Sequence, residues 1–542
     1  MRGGGGLMRV LARPLGGSPL VRDYLSGVEA ASAFYRGSPF RADSYRRRAK
    51  ELDRARDPGT FTPALEVVRA AGPRAEDRLR RVIDEDGYFV TTGQQPGLLG
   101  GPLYSLYKAL TAVRLADELE EIVGGPVMPL FWVASDDHDW VEASRTHVVD
   151  GAGELVRLSL GAAPPGPPRP LGRVQLGGAV VEVLDTLARA FPRNDFHTRH
   201  MDRLRDIFQP AATLTSAFAD LMAELLRNTT LGLVDAGHPR LKESCRPVFR
   251  AEAEDPGASE AVLGEASEAL KAGGYALQAP PIRDATLLFV DGRHGRERLD
   301  RLDDGFRLRL TGRELSRRRV LRMIEEDPES VSPNVLLRPV VESFLFPTLA
   351  YVGGPGELAY FGQLRGLFRR HGVGMPVVTP RSSLLVVESR VERVLEKFAL
   401  TPGQLREGDA LLSRLARDRL PEDVHDGVTR WRTAVEALGA ELAETVAAVD
   451  PTLRGAVTRA RNAGLAALGT LEKKIVRAAG RRNDTVRARI HKARVNLWPA
   501  GKPQDRVLSP LQYLMRYDSG FLSRALEAIR IRVDEDEVAK RA

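Results

Sequence analysis

The feature that most constrains this 542-residue chain is a strand–helix–strand pattern between residues 87 and 134. Residues 87–92 form a short apolar run that predicts a buried strand. Residues 103–119 have the spacing of an amphipathic helix, opened by Pro102 at a position that proline favours. Residues 127–134 are apolar without alternation, which is typical of a central parallel strand covered on both faces. The pattern predicts a doubly wound α/β sheet.

The whole chain is too long for one core, because single cores stop growing near ~250–300 residues. We therefore expect a Rossmann-type core with added segments. The predicted segments are an N-terminal helical segment (1–85), the first half of the core (86–150), an inserted and mostly helical connecting domain (151–285), the second half of the core (286–387), a coiled coil (388–498) and a C-terminal helical segment (499–542). Three further strands of the same sheet are expected at 287–292, 344–350 and 376–379.

The coiled coil is predicted from apolar residues spaced alternately four and three apart. These residues are Trp431, Val435, Leu438, Leu442, Thr445 and Val449. Pro421 and Pro451 interrupt the pattern and predict either an antiparallel hairpin or staggered helical segments. Residues 453–495 hold twelve Arg or Lys against two acidic residues, so a nucleic-acid-binding coiled coil is one alternative. We favour the solvated face of a coiled coil that pairs two subunits.

The first segment with chemical potential is 93–108, between the first strand and its helix. Backbone N–H groups at a helix start favour an anion, and glycines allow close approach of a ligand. The candidate binding residues are Gly93, Gln94, Gln95, Gly100 and Tyr104, with Lys108 one helical turn beyond Tyr104. The alternative is a tight turn whose glycines serve packing only.

The second segment, 131–142, follows the next strand, at the sheet edge where α/β proteins bind ligands. It contains Asp136, Asp137, His138 and Asp139, which would be costly to bury without cationic partners. A polar cleft is therefore expected, with His138 as general base or orienting group and an aspartate holding an ammonium group. A solvated acidic turn is the alternative. A metal site is disfavoured because adjacent side chains cannot all point one way.

The third group of candidates comes from a later strand–turn–helix region. Glycine turns and possible anion-binding arginines again follow strand-like runs. The residues are Asn334, Arg338, Gly353, Gly354, Glu357, Tyr360 and Arg381. Each is more often structural than functional by itself, but together the three groups indicate a nucleotide-binding or nucleotidyl-transfer-like sheet.

Composition excludes some classes of protein. The net charge is +8, yet only ten of the 80 basic residues are lysine, and such an arginine excess need not reflect phosphate binding. Cys245 is the only cysteine, which rules out an intramolecular disulfide and fits a reducing cytoplasm. It is expected to be a small buried residue. The first 19 residues lack a signal-peptide core, and Met8 is an alternative start to Met1.

Taken in order, these motifs resemble the cysteine-ligase family of bacillithiol biosynthesis (BshC). The resemblance rests on Gly93-Gln94-Gln95 with Gly-Pro-Leu-Tyr, on Phe-Trp-Val-Ala with Asp-His-Asp, on Arg338-Pro339, and on Gly353-Gly354-Pro-Gly-Glu-Leu-Ala-Tyr. It extends from Ser18-Pro-Leu-Val-Arg-Asp-Tyr to Pro503-Gln-Asp-Arg, where Leu-Gln-Glu-Arg would be expected. Ser135 also departs from the usual small residue before the acidic pair.

The resemblance implies a core similar to class I aminoacyl-tRNA synthetases and a homodimer through the coiled coil. It implies a cytoplasmic ligase that adds L-cysteine to glucosaminyl-malate, without a membrane or nucleic-acid partner. Amide formation requires carboxylate activation, so ATP or another nucleotide is expected, and no metal. Catalysis is expected from His138, Asp137, Asp139 and Lys108. The alternative is a nucleotidyltransferase or synthetase-like enzyme of other specificity.

Overall fold

The computed structural model describes residues 8–55, 62–418, 420–481 and 484–534. It divides into two compact units. One consists of Arg9–Val386 and the segment that begins at Gln504, and the other is essentially Val387–Pro503.

The first unit is organised around a six-stranded sheet. Its strands, numbered in chain order within this sheet, are β1 (Arg69–Ala70), β2 (Tyr88–Gln94), β3 (Val127–Val133), β4 (Gly232–Asp235), β5 (Thr348–Gly353) and β6 (Val377–Pro380). They lie in the order β6-β5-β2-β3-β4-β1. All neighbours are parallel except β1, which is antiparallel to β4. The strand order reverses between β2 and β5, so ligands are expected outside the carboxyl ends of these two strands.

The predicted strand–helix–strand unit is confirmed. Every residue of β3 is buried, as are the first six of β2, which explains why neither strand alternates in hydropathy. The helix Leu103–Val123 connects them and ends at Gly124, whose φ of 73° is the left-handed conformation that glycine adopts easily. This unit places the carboxyl ends of β2 and β3 side by side.

The prediction that 287–292 belongs to the same sheet is wrong. A separate five-stranded antiparallel sheet contains Ala285–Gly292, Gly295–Leu302, Gly305–Leu308, Glu314–Ser316 and Val331–Pro333. Two-residue connections at 293–294 and 303–304 join successive strands, and such short loops require antiparallel pairing. The apolar run was recognised as a strand, but its length could not show which sheet it joins.

Two other strand predictions need correction. Residues 344–350 are not one strand, because the helix Arg338–Leu345 continues through Phe344 and β5 begins only after Pro347. β4 lies in the region predicted to be mostly helical, and its four residues are too few for a clear periodicity. The strand predicted at 376–379 is present as β6, displaced by one residue.

Helices cover both faces of the sheet and the loops around it. Besides Leu103–Val123 and Arg338–Leu345, the helices of this unit are Pro19–Leu25, Glu29–Ser32, Ala42–Ala55, Thr62–Leu65, Pro73–Asp84, Trp140–Ala143, Ala179–Ala190, Asp195–Ile207, Leu214–Leu226, Pro239–Ser244, Arg246–Glu254, Pro256–Ala272, Arg317–Glu326, Pro355–Phe361, Arg365–Arg370, Leu511–Tyr517 and Ser519–Ala528. A hairpin of Arg145–Val149 and Leu155–Ser159 also belongs to this unit. None of the helices within the described ranges is long and apolar enough to cross a membrane.

The second unit is helical. Its helices are Ser389–Lys397, Asp409–Arg417, Glu422–Thr445, Leu453–Arg481 and Asp484–Leu497. Glu422–Thr445 and Leu453–Arg481 pack antiparallel, since Arg432 pairs with Glu472 and an atom added at Gly439 would meet Arg461. The predicted hairpin is therefore confirmed. Several of its predicted seam residues are exposed in the single chain: Trp431 (56%), Leu438 (64%), Leu442 (54%) and Val449 (82%).

Candidate functional site

A cleft of about 460 Å³ lies at the carboxyl ends of β2 and β3 in the first unit. The antiparallel sheet contributes another part of its wall through Leu287, Phe289, Arg296 and Arg298. Nine of the predicted site residues line it: Gly93, Gln94, Gln95, Asp136, Asp137, Asn334, Arg338, Glu357 and Tyr360. Its volume is in the range usual for small-molecule sites.

A buried ion pair joins the helix Leu103–Val123 to the helix Pro355–Phe361, beside the point where the strand order reverses. Lys108 Nζ lies 2.5 Å from Glu357 Oε2 and also donates to the Gly93 carbonyl (2.8 Å) and to Gln94 Oε1 (2.9 Å). Burial lowers the pKa of Lys108. Burial opposes ionisation of Glu357 as well, but Lys108 and hydrogen bonds from Tyr351 and the Gly354 N–H outweigh it and lower that pKa. Glu357 is therefore held in its charged form, and Lys108 shapes the cleft from behind its lining.

Arg338 lines the same end of the cleft but is already well supplied with partners. Its guanidinium donates to Glu342 (2.6 Å), Tyr351 (2.9 Å) and Tyr360 (3.2 Å). Burial and the nearby Glu357 raise the pKa of Glu342, whereas Arg338 lowers it. The net effect is an increase. The arginine was predicted to bind an anion, and its contacts show that it also holds the helix after Asn334 against β5.

A second buried ion pair lies at the end of β3. Lys242 Nζ donates to Asp136 Oδ2 (3.1 Å) and to the Val331 carbonyl (3.0 Å), and only 3% of its side chain is exposed. Burial alone would raise the pKa of Asp136. The positive charges of Lys242 and Arg296 together have the larger, opposite effect, so the pKa is lowered overall. Asp136 therefore has the cationic partner without which burial of its carboxylate would be costly. The pair ties β3 to the helix Pro239–Ser244 and to the antiparallel sheet.

The ring of His138 faces an arginine. Arg296 donates to Ser332 Oγ (2.9 Å) and to the Pro333 carbonyl (3.1 Å), and its Nη1 lies 3.2 Å from His138 Nδ1. A guanidinium can only donate, so Nδ1 accepts and the ring proton is on Nε2. Burial and Arg296 lower the pKa of His138 against the opposing effect of Asp137 and Asp139. The imidazole is therefore neutral near pH 7 and carries its N–H group on Nε2. The ring lies next to Arg296 and Asp137 of the cleft wall but is not itself part of the lining.

The predicted anion site at the start of the helix Leu103–Val123 is wrong. The Leu103 N–H donates to the Leu508 carbonyl (2.8 Å), and a Cβ at Gly100 would lie 3.1 Å from Pro510. A segment some 400 residues further along the chain thus covers this helix start. Gly100 serves packing rather than ligand binding, which is the alternative that a glycine-rich turn always leaves open.

Three other predicted residues lie just behind the lining. Tyr104 donates to Glu142 (3.3 Å) and accepts from Gln94 (3.4 Å), so it contacts two lining residues. Asp139 accepts from the Glu142 N–H (3.0 Å) and caps the helix Trp140–Ala143. At Gly353 a Cβ would lie 2.9 Å from a methyl group of Leu358, so this glycine is closely packed against the following helix. These residues support the cleft without lining it.

Arg381 is not part of the cleft lining. Its guanidinium lies 2.9 Å from Asp505, and both side chains are almost fully buried, with 4% and 2% exposed. Asp505 belongs to the Pro503-Gln-Asp-Arg motif, so this ion pair fastens the C-terminal segment to the end of β6. The prediction of Arg381 as an anion-binding residue is therefore wrong.

Sequence reasoning missed three basic residues of the site, namely Lys242, Arg296 and Arg298. The two arginines occur in Gly295–Leu302, a strand rich in charged residues, which predicts an exposed hairpin rather than a cleft wall. Residues two apart share one face of a strand, so Arg296 and Arg298 lie on the same face. This spacing was the available indication that the two arginines act together. Lys242 was one of only ten lysines, but nothing in its neighbourhood indicated burial.

Cys245 is buried as predicted. It donates from Sγ to the Leu241 carbonyl, and burial raises the pKa of its thiol to about 12. The thiol is therefore not a nucleophile at neutral pH. Within the described part of the chain, no three His, Cys, Asp or Glu side chains are arranged to hold a metal ion.

A doubly wound parallel sheet with a charged cleft at its carboxyl edge defines a Rossmann-like α/β protein of the small-molecule-binding class. Comparison with known families narrows this class. Residues 9–382 match the family described as "Bacillithiol biosynthesis BshC, N-terminal Rossmann-like domain". Residues 384–534 match "Bacillithiol biosynthesis BshC, C-terminal coiled-coil domain".

Individual relatives agree over nearly the full chain. A protein of Salinibacter ruber is 36% identical over 529 residues, covering 95% of both chains. One from Symbiobacterium thermophilum is 32% identical and covers 96% of this chain and 97% of its own. Both carry the name "Putative cysteine ligase BshC". The chain belongs to the BshC family of bacillithiol biosynthesis, as its motifs predicted.

Proposed function

We propose that this protein is a ligase that joins L-cysteine to the amine of glucosaminyl-malate, the last step of bacillithiol biosynthesis. The observation that carries the proposal is the meeting of three family motifs in one cleft of about 460 Å³. Gly93–Gln94–Gln95, Asp136–Asp137 and Asn334–Arg338 are far apart in sequence but line it together. The cleft offers carboxylates for an ammonium group and arginines for carboxylates, as these two substrates require.

The structure suggests a division of roles between Asp137 and His138. His138 was predicted as general base, but with Nδ1 accepting from Arg296 the ring can only donate through Nε2. We propose that His138 donates a hydrogen bond to the oxygen that develops charge as the amide forms. Asp137 lines the cleft and is the better candidate to accept the proton that the attacking amine loses.

Amide formation from a free carboxylate needs activation. We propose that ATP or another nucleotide converts the cysteine carboxylate into an acyl-adenylate, with release of pyrophosphate, or into an acyl-phosphate, with release of the nucleoside diphosphate. Attack of the amine then forms the amide and expels the nucleoside monophosphate or phosphate. The likeness to class I aminoacyl-tRNA synthetases is part of this proposal, since both would share a strand-end cleft and an activated amino acid. We propose cytoplasmic action on small-molecule substrates, without a metal, a membrane or a nucleic acid.

The direct test is to mix the protein with cysteine, glucosaminyl-malate and ATP and to follow the thiol product by mass spectrometry. We expect product with the wild type and at least a ~100-fold lower rate with His138→Ala, in line with the usual loss of one positioned donor. His425→Ala, at an exposed site in the hairpin, is the matched control and should keep full rate. Absence of product with every nucleotide or activated form of cysteine would refute the proposed reaction.

We further propose that the exposed apolar residues of the hairpin pair two subunits. Leu438 and Leu442 lie one turn apart on one helix face and are more than half exposed, which is costly for a free surface. Leu438→Glu with Leu442→Glu should turn a dimer into a monomer in light scattering. Thr433→Glu adds a charge on the opposite side of the same helix and should leave the dimer intact. A wild-type monomer would contradict the pairing.

A further inference from the structure

The wall of the cleft contains an arginine with an uncompensated charge. Arg298 lies on the strand Gly295–Leu302, lines the cleft, and places its guanidinium carbon 5.2 Å from the centre of the Phe289 ring. Arg296, two residues earlier on the same face, lies 4.0 Å from that ring. The neighbouring Arg296 already donates to Ser332, to the Pro333 carbonyl and to His138. Arg298 makes no side-chain hydrogen bond or ion pair with any residue that the structure describes.

The carboxylates that could neutralise Arg298 are taken by other groups. Asp300 pairs with Arg309 at 2.8 Å, and Glu297 accepts from the backbone N–H groups of Leu310 and Thr311. Glu260, on the cleft wall, pairs with Arg301 at 2.9 Å. Arg298 is half-buried, and burial together with Arg309 and Arg296 lowers its pKa against the opposing effect of Asp300. A partly desolvated cation beside a second cation gains most from an anionic ligand.

We propose that Arg298 binds a carboxylate of the substrate and thereby selects an amino-sugar conjugate that carries an acidic group. The inference rests on the proposed function and names the part of the cleft that recognises the malyl end. Its fork of N–H donors matches a carboxylate in two parallel hydrogen bonds, and the nearby Phe289 ring attracts the guanidinium. Arg298 is a binding residue and takes no part in bond formation.

The test compares Arg298→Gln, Arg298→Lys and the control Arg307→Gln, which removes an exposed arginine of the same sheet that pairs with Glu314. For Arg298→Gln we expect KM for glucosaminyl-malate to rise roughly 10- to 100-fold, with kcat and KM for cysteine within about threefold of wild type. Arg298→Lys should recover part of the loss, because it restores the charge without the fork. Arg307→Gln should match the wild type.

A second substrate separates recognition from damage to the fold. With the malyl carboxylates blocked as methyl esters, wild type and Arg298→Gln should have equal kcat/KM. An unchanged KM for glucosaminyl-malate in Arg298→Gln, or an equal loss on the ester, would overturn the inference. If the wild type forms no product, the proposed reaction is refuted. Calorimetric titration with glucosaminyl-malate then tests separately whether Arg298 binds this compound. Binding that is lost only in Arg298→Gln supports the site, whereas equal binding, or none by the wild type, overturns it.

Discussion

Replacing Lys108 by methionine should abolish turnover and lower the free energy of unfolding of the first unit by roughly 3–5 kcal/mol. This is the usual cost of removing one partner from a buried ion pair. The ammonium has three acceptors, namely Glu357, Gly93 and Gln94, which use all of its N–H groups. Methionine would leave the Glu357 carboxylate buried beside Tyr351 and Gly354 without its main cation. Because the three acceptors line the cleft, its shape should change with the charge.

Urea unfolding and the product assay measure the two effects separately. The double variant Lys108→Met with Glu357→Gln should recover part of the lost stability, because no unpaired charge remains, yet stay inactive. Lys271→Met is the matched control, since Lys271 pairs with Glu268 on the surface with 57% and 75% exposed side chains. Such a pair contributes about 0–1 kcal/mol. A Lys108→Met protein as stable as this control, with normal turnover, would remove Lys108 from the site.

Glu252→Gln should make the protein more stable at pH 8 but not at pH 4.5. Burial raises the pKa of Glu252 from its ordinary value of 4.5 to about 7, although Ser259 and the Leu287 N–H oppose the shift. The folded state therefore holds one proton more than the unfolded state between these values, and stability falls as pH rises through them. A difference of about 2.5 pKa units corresponds to roughly 3 kcal/mol. Glutamine keeps both hydrogen bonds and removes the titration.

The difference in unfolding free energy between variant and wild type, measured in urea from pH 4 to 8, isolates Glu252 from other titrations. His371, 4.0 Å away, gives a comparison of opposite sign. Burial and Arg370 lower its pKa from 6.5 to about 4. Below pH 6.5 the unfolded state gains a proton that the folded state does not bind, so the folded state loses stability as the pH falls, whereas above pH 6.5 there is no such loss. His371→Phe should therefore gain relative stability at low pH. A pH-independent difference for Glu252→Gln would show that the carboxylate is charged when buried.

Local pattern was enough for the elements whose neighbours in sequence are also their neighbours in space. β2, the helix Leu103–Val123 and β3 follow one another and pack together, so periodicity alone identified them. The strand-end rule then placed Gln94, Asp136 and Asp137 near a ligand, and all three line the cleft.

Partners distant in sequence were beyond such reasoning. Lys108 and Glu357 were both candidates, but 249 residues separate them and nothing local shows that they pair. The same holds for Arg381, whose charge is neutralised by Asp505 from the C-terminal segment. Arg298 was hidden for the opposite reason: its strand has the charged composition of an exposed surface, and only the packing of the two sheets turns one face into a cleft wall.

The most direct measurement is a crystal structure of the protein grown with glucosaminyl-malate and cysteine. We predict density for the conjugate in the cleft at the carboxyl ends of β2 and β3, with a malyl carboxylate on Arg298 and an amine within hydrogen-bonding reach of Asp137. Density at another surface, with the cleft open to solvent in the same crystal, would contradict the assignment of this cleft as the site of cysteine ligation.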